Sequence, residues 1–220
     1  MRLDLTASDV YNPIPLPDNS VRFVMADNAL QYATDIVAAM KEIYRVCAHK
    51  AVVCIISPYA QTSVHAANPA YRYLFNEHSP NYFSPYPGIY METVERAFQP
   101  FAKPVGSAAK IGIDFRLAAM ECFYFREYED DMLEDEQRIM LRQVQLNVVD
   151  EIMFHFIVLK AAVSDEELYA IARGPLEVPA SVEERRSMSR PAWVPQTISG
   201  AVMFRRDRPP AKSASRKKRR

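Results

Sequence analysis

The chain has 220 residues, 49% of them hydrophobic, with 27 basic and 27 acidic side chains. That size and composition suit one domain with a real core, or one domain plus a tail. They hold no apolar run near the roughly 18–20 residues of a membrane span and no basic-then-apolar leader at the N-terminus. The zero net charge conceals a division. Residues 205–220 hold nine Lys or Arg against Asp207, which leaves 18 basic and 26 acidic side chains, a net of −8, on the rest. An acidic body argues against nucleic acid as the partner, and the terminal basic run is read as a solvated tail. Cys47, Cys54 and Cys122 are odd in number and lack CxxC spacing, so reduced thiols in a cytoplasmic protein are expected rather than a disulfide or zinc site.

In chain order, Arg2–Leu5 reads as the end of a strand with Asp4 at its carboxyl edge. Residues 6–20 form a loop in which Pro13, Pro15 and Pro17 alternate before an Asp18-Asn19-Ser20 turn. VRFVM (21–25) is a short strand, and Asp27-Asn28 stand where a parallel strand delivers its loop to a crevice. Thr34 is the expected N-cap of a helix over 35–47, whose apolar positions Ile36, Val37, Met40, Ile43, Tyr44 and Cys47 follow helical spacing. AVVCIIS (51–57) is continuously apolar and closed by Pro58, as in a strand buried on both faces. Together they predict a right-handed βαβ unit.

Beyond it, 58–107 is rich in Tyr, Phe, Asn and Pro, with a helix expected at about 88–98. Strand character follows over 111–125, with a bend near Ala118-Ala119. A helix is predicted within 131–148, and a last strand at 151–161. A short acidic helix (165–172) opens a Pro-punctuated extension. The expected organisation is an α/β domain over 1–162, an extension over 163–204 and a basic tail over 205–220.

The run Leu16-Pro17-Asp18-Asn19-Ser20-Val21, the Leu30-Gln31-Tyr32 loop, the helix ending Lys41-Glu42-Ile43-Tyr44-Arg45-Val46 and the strand closing at Ser57-Pro58 resemble a class I S-adenosylmethionine-dependent methyltransferase of the small-molecule type. The resemblance is good over 13–58 and weaker to about 162. It implies the carboxy-terminal half of a Rossmann-like fold, with a mostly parallel sheet and the last strand inserted antiparallel between its two predecessors. It also implies that the family's first strand, Gly-rich turn and ribose-binding acid would lie before Met1, since the first glycine of the chain is Gly88. The chain departs from the family pattern at Arg22, at Gln31-Tyr32 and at Ala48-His49-Lys50-Ala51, which replaces a Pro-Gly-Gly turn.

By that resemblance S-adenosylmethionine is the cofactor, held through Asp4, Asn28, Leu30 and Tyr32, and the acceptor is a small molecule or glycan precursor. Asp27 is a candidate base or, equally, a turn cap. His78 with Glu77 is a candidate acid–base pair or a surface histidine. His65 shares that aromatic segment, and His155 is read as structural. A non-catalytic interaction module derived from such an enzyme is the competing reading, with self-association through an exposed strand edge at 21–25.

Overall fold

Strands β1 (Arg2–Leu5), β2 (Val21–Asp27), β3 (Cys47–Pro58), β4 (Phe115–Tyr124), β5 (Val149–Val158), β6 (Trp193–Ile198) and β7 (Ala201–Arg206) form one sheet, in the order β1-β2-β3-β5-β4-β7-β6. The computed structural model describes residues 1–11, 13–85, 111–129, 133–188, 193–198 and 201–206. The expected helix at 88–98 and most of the basic tail fall outside these residues. β7 crosses the boundary expected at 204/205.

β1, β2 and β3 are parallel. β5 runs antiparallel to both β3 and β4 and lies between them. This is the strand order the sequence resemblance implies. The bend expected near Ala118-Ala119 appears as a register shift between Leu117 and Ala119. Strand 21–27 is paired on both sides, by β1 and β3, so the exposed edge expected there is not present. The outer position belongs to the four residues of β1, whose short edge presents few unpaired groups.

Helix α1 (Ile36–Val46) connects β2 to β3. Its N-cap is Asp35, not Thr34: the Asp35 carboxylate accepts the Ala38 N–H at 2.9 Å, which satisfies one of the orphan donors of a first turn. Met40, Ile43 and Val46 are buried in the main core cluster with Val24, Val53 and Ile55. β3 begins four residues earlier than the apolar run. Within this early part Lys50 adopts φ 64°, the left-handed region a glycine would favour. Lys50 remains tethered there by Glu167 at 2.8 Å.

The Pro-rich loop is held by Arg45 of α1. Prolines cannot donate hydrogen bonds, so the loop's polar surface is dominated by carbonyls that need donors. The Arg45 guanidinium donates to the Leu16 and Ile14 carbonyls at 2.9 and 2.8 Å and to Asp18 at 2.6 Å.

Among the described residues follow the helices α2 (Ser63–Ala66), α3 (Asp135–Val144), α4 (Asp165–Ala172) and α5 (Ala180–Met188). The extension that begins near 163 covers the sheet face opposite α1. Ala172 of α4 shares a buried cluster with Ala118, Ala119, Ile157 and Leu159. Val182 of α5, 3% exposed, does so with Met25, Cys54, Ile56, Phe123 and Met153.

The apolar residues of α3 are divided, with Leu141 packed against the core. Met140 and Val144 face solvent, while Arg138 and Arg142 are buried. Arg142 pairs with Glu77 at 3.3 Å, and the side chains of both are 4% exposed. Glu77 also accepts the Tyr59 hydroxyl at 2.5 Å. Burial alone would raise the Glu77 carboxyl, but the Arg142 charge and the Tyr59 hydrogen bond outweigh it and hold it below the usual range. A buried carboxylate demands such partners, and that demand decides which face of α3 turns inward.

Candidate active site

The carboxyl ends of β2 and β3 meet the start of β5, because Pro58 is in register with Glu151. Into this crevice β2 delivers Asp27 and Asn28. Asn28 has φ 50°, which asparagine tolerates better than most residues. The turn aims its side chain across the sheet end: the amide donates to Glu151 at 2.9 Å and to Asp27 at 3.2 Å. Gln31 donates to the Asn28 carboxamide oxygen at 3.4 Å. The Gln31 carbonyl accepts from the N–H groups of Arg72 and Tyr73, which lays the aromatic loop over the crevice.

That loop brings His65 to Asp150, with Nε2 3.2 Å from the carboxylate and 3.0 Å from the carbonyl. Tyr71 stands beside both His65 and Tyr32, with ring centroids 6.2 and 5.3 Å apart respectively. Desolvation, aided by Tyr71, raises the Tyr32 phenol, so Tyr32 remains a neutral hydroxyl at physiological pH.

The extension supplies the other side. Arg185 of α5 donates to Glu151 at 2.9 Å, to Asp150 at 3.0 Å and to the Tyr124 carbonyl at 3.3 Å. Its guanidinium also lies 5.2 Å from the centre of the Phe123 ring. Ser181 donates to Asp27 at 3.2 Å. Arg186 reaches the buried Glu121 at 2.5 Å. Near β1, Glu177 pairs with Arg2, which in turn holds Asp4 at 2.8 Å.

The sequence-predicted residues therefore divide. Asp27 and Asn28 stand in the crevice, with Tyr32 on its aromatic side. Leu30 is fully buried in the core. Asp4 is exposed and occupied by Arg2. His78 and Glu77 do not form an acid–base pair: the Glu77 carboxylate turns inward to Tyr59 and Arg142, and the described hydrogen bonds of His78 are made by its backbone, the N–H to the Asn76 side chain and the carbonyl from the Asn81 N–H. His155 is buried in the sheet, with Nε2 2.8 Å from the Glu177 carbonyl. Sequence reasoning missed Gln31, Asp150, Glu151 and Arg185 as crevice residues. The Asn28–Glu151 contact spans 123 positions, and no local pattern marks so distant a pair.

On the α1 side of the strand ends lies a cavity of about 240 Å³, walled by Leu5, Val10, Ile14, Leu30, Ala39 and Ile43. That is below the roughly 300–1,000 Å³ of pockets that bury a whole drug-sized ligand. It suits one flat apolar group. Its two carboxylates are already engaged, Asp9 by the N–H and hydroxyl of Thr6 and Glu42 by Arg45 and the Ile14 N–H.

Residues 2–55 match the family model described as a methyltransferase domain. No curated protein matches the chain. Among solved structures the chain is similar to a SAM-dependent methyltransferase from Archaeoglobus fulgidus, at 12% identity and a TM-score of 0.38, over 67% of this chain and 64% of that one. It is also similar to a possible histamine N-methyltransferase from Thermotoga maritima, at 13% identity and a TM-score of 0.31, over 67% and 60%. A third is phosphoethanolamine N-methyltransferase 2 of Haemonchus contortus in complex with S-adenosyl-L-methionine, at 14% identity and a TM-score of 0.35, over 66% and 35%. The chain thus spans less than two thirds of the length of each of these structures.

Proposed function

We propose, on the premise that residues 2–55 are a methyltransferase-domain segment, that the protein takes part in S-adenosylmethionine-dependent methyl transfer to a small molecule or glycan precursor. The observation that carries this reading is the family match over β1, β2, α1 and most of β3. The insertion of β5 between β3 and β4 supports it.

The apolar cavity beside Leu5 and Leu30 fits the flat base of the cofactor. Asp4 would serve the base only after release from Arg2. When bound, the cofactor supplies an electrophilic methyl group. The chain's own residues orient the acceptor and exclude water from it. Asp27 and His65 are two groups of the crevice that can take a proton from an acceptor.

A second reading, a non-catalytic interaction module, has one observation in its favour. The chain's own cations already engage the acids that a ligand would use, Arg2 on Asp4 and Arg185 on Asp150 and Glu151.

Thermal melts of the purified chain with S-adenosylhomocysteine separate the two. A ligand that binds only the folded state stabilises it by RT ln(1 + [L]/Kd), about 2.7 kcal/mol at a hundredfold excess over Kd. Methyl transfer requires a saturable rise in melting temperature. A cooperative melt unmoved at millimolar ligand rejects it in favour of the module.

A further inference from the structure

α3 turns Arg138 and Arg142 inward and presents Met140 and Val144, one helical turn apart, to solvent. Leu146, just beyond the helix, is exposed as well. α2 is fastened to this end of α3. The Asn147 side chain accepts the Ser63 N–H and hydroxyl, each at 2.8 Å, and the Asn147 N–H donates to the Gln61 carbonyl at 3.0 Å. The junction brings the chain at Val64 alongside the chain at Leu146, and Val64 is also exposed. Of the six large apolar side chains exposed among the described residues, four thus share one corner of the molecule. Single exposed apolar residues need no explanation, but a cluster marks an interaction surface.

Charge is missing from the same corner. Residues 61–70 hold no Asp, Glu, Lys or Arg, and His65 there is engaged by Asp150. Within 139–147 Arg142 is the one such residue, and it is buried. Exposed aliphatic and methionine side chains with charge excluded are the composition of an interface core.

This distribution of charge selects the partner. A protein of different sequence is recognised through matching charges, and this corner offers none to match. A second copy requires only a surface that complements itself, which an uncharged apolar surface does. Outside residues 205–220 the chain carries 18 basic and 26 acidic side chains, so two copies repel over most of their surfaces and meet with least repulsion here. The acids of α3 then set the orientation. Asp135 and Glu136 lie in its first turn. A twofold axis perpendicular to α3 makes the paired helices antiparallel and lays each acidic turn beside the uncharged last turn of the other copy. A parallel pairing would bring the two acidic turns together.

We propose that the face formed by α3 and α2 is the interface of a symmetric homodimer, with Met140, Val144, Leu146 and Val64 of each copy packed against the same patch of the other. This surface is distinct from the edge of 21–25, which β1 covers. Neither cofactor nor acceptor enters the inference, so it stands or falls apart from the methyl-transfer reading.

Sedimentation velocity of the full chain from about 1 µM to about 300 µM spans the affinities of small and standard interfaces. The 25.2 kDa monomer should give way to a species of twice that mass. Hydrogen exchange of residues 63–67 and 136–147 should slow over the same range. Met140→Glu and Val144→Glu, at positions exposed in the single chain, should each weaken association by about tenfold or more, through buried or opposed carboxylates. Val144 lies midway along the patch, nearest the axis. Chains carrying Val144→Glu and Val144→Lys should therefore associate more tightly when mixed than either does alone. A monomer at every concentration overturns the proposal, as does a dimer indifferent to both Glu substitutions or protected only elsewhere. A mixed pair no tighter than its components overturns the twofold contact. A chain that stays monomeric and cosediments with phosphatidylcholine vesicles assigns the face to a membrane surface and overturns it as well.

Discussion

His155 makes stability depend on pH through a buried side chain outside the crevice. It is fully buried between β3 and β4, and burial, reinforced by the charge of Arg186, lowers it to about 4. Its unfolded value is near 6.5, so the unfolded chain binds the extra proton between these two values. The neutral imidazole thus contributes stability that is complete above about pH 6.5 and is lost as pH falls toward 4. Between pH 7 and pH 5 this amounts to about 2 kcal/mol. Urea unfolding of the wild type should lose that much over the interval, and His155→Leu should lose correspondingly less. Parallel pH curves for the two proteins would reject the assignment. That His155 is structural follows from its place in an alternating apolar strand. Its inward bond to the Glu177 carbonyl does not, because its partner belongs to a segment with no strand or strong helix pattern.

At the scale of elements, apolar spacing located α1, β3 and β5 to within a few residues, because those segments bury one stripe or both faces. Their ends depended on single side chains. α1 starts where Asp35, rather than Thr34, accepts a first-turn N–H. Asp35→Ala should therefore cost about 1 kcal/mol in urea unfolding, while an unchanged midpoint would show that the cap contributes nothing. α3 marks the limit of periodicity. Its apolar residues Ile139, Met140 and Val144 fall on related faces by helical spacing, yet Met140 and Val144 are exposed. The inward face is chosen by Arg142, because Glu77, buried 65 positions away, needs a cation. A pattern of hydrophobic residues cannot register a requirement set by a distant buried acid.

Across the whole molecule, the extension after 163 acts as the second layer of the sheet and as one wall of the crevice. Its hold on that face centres on Val182, which sits against the Met25–Ile56–Met153 cluster. Val182→Asp would place a carboxylate among apolar side chains, a change that costs several kcal/mol unless the helix detaches. Hydrogen exchange should then accelerate across 180–188 while β2 and β3 stay protected. Uniform acceleration through the sheet would instead mean that α5 and the sheet unfold as one unit.

The sequence by itself determined the βαβ unit, the parallel start of the sheet, and the arrival of Asp27 and Asn28 at a strand end. These follow from local rules: β-branched runs, helical spacing and the chemistry of turn residues. Only the tertiary structure decided that β1 covers the edge of β2, that Glu77 turns away from His78, and that Arg185 crosses from the extension to Asp150 and Glu151. Each of these is a pairing between charges or strand edges far apart in the chain. Their energy depends on burial and distance, which exist only once the chain has folded.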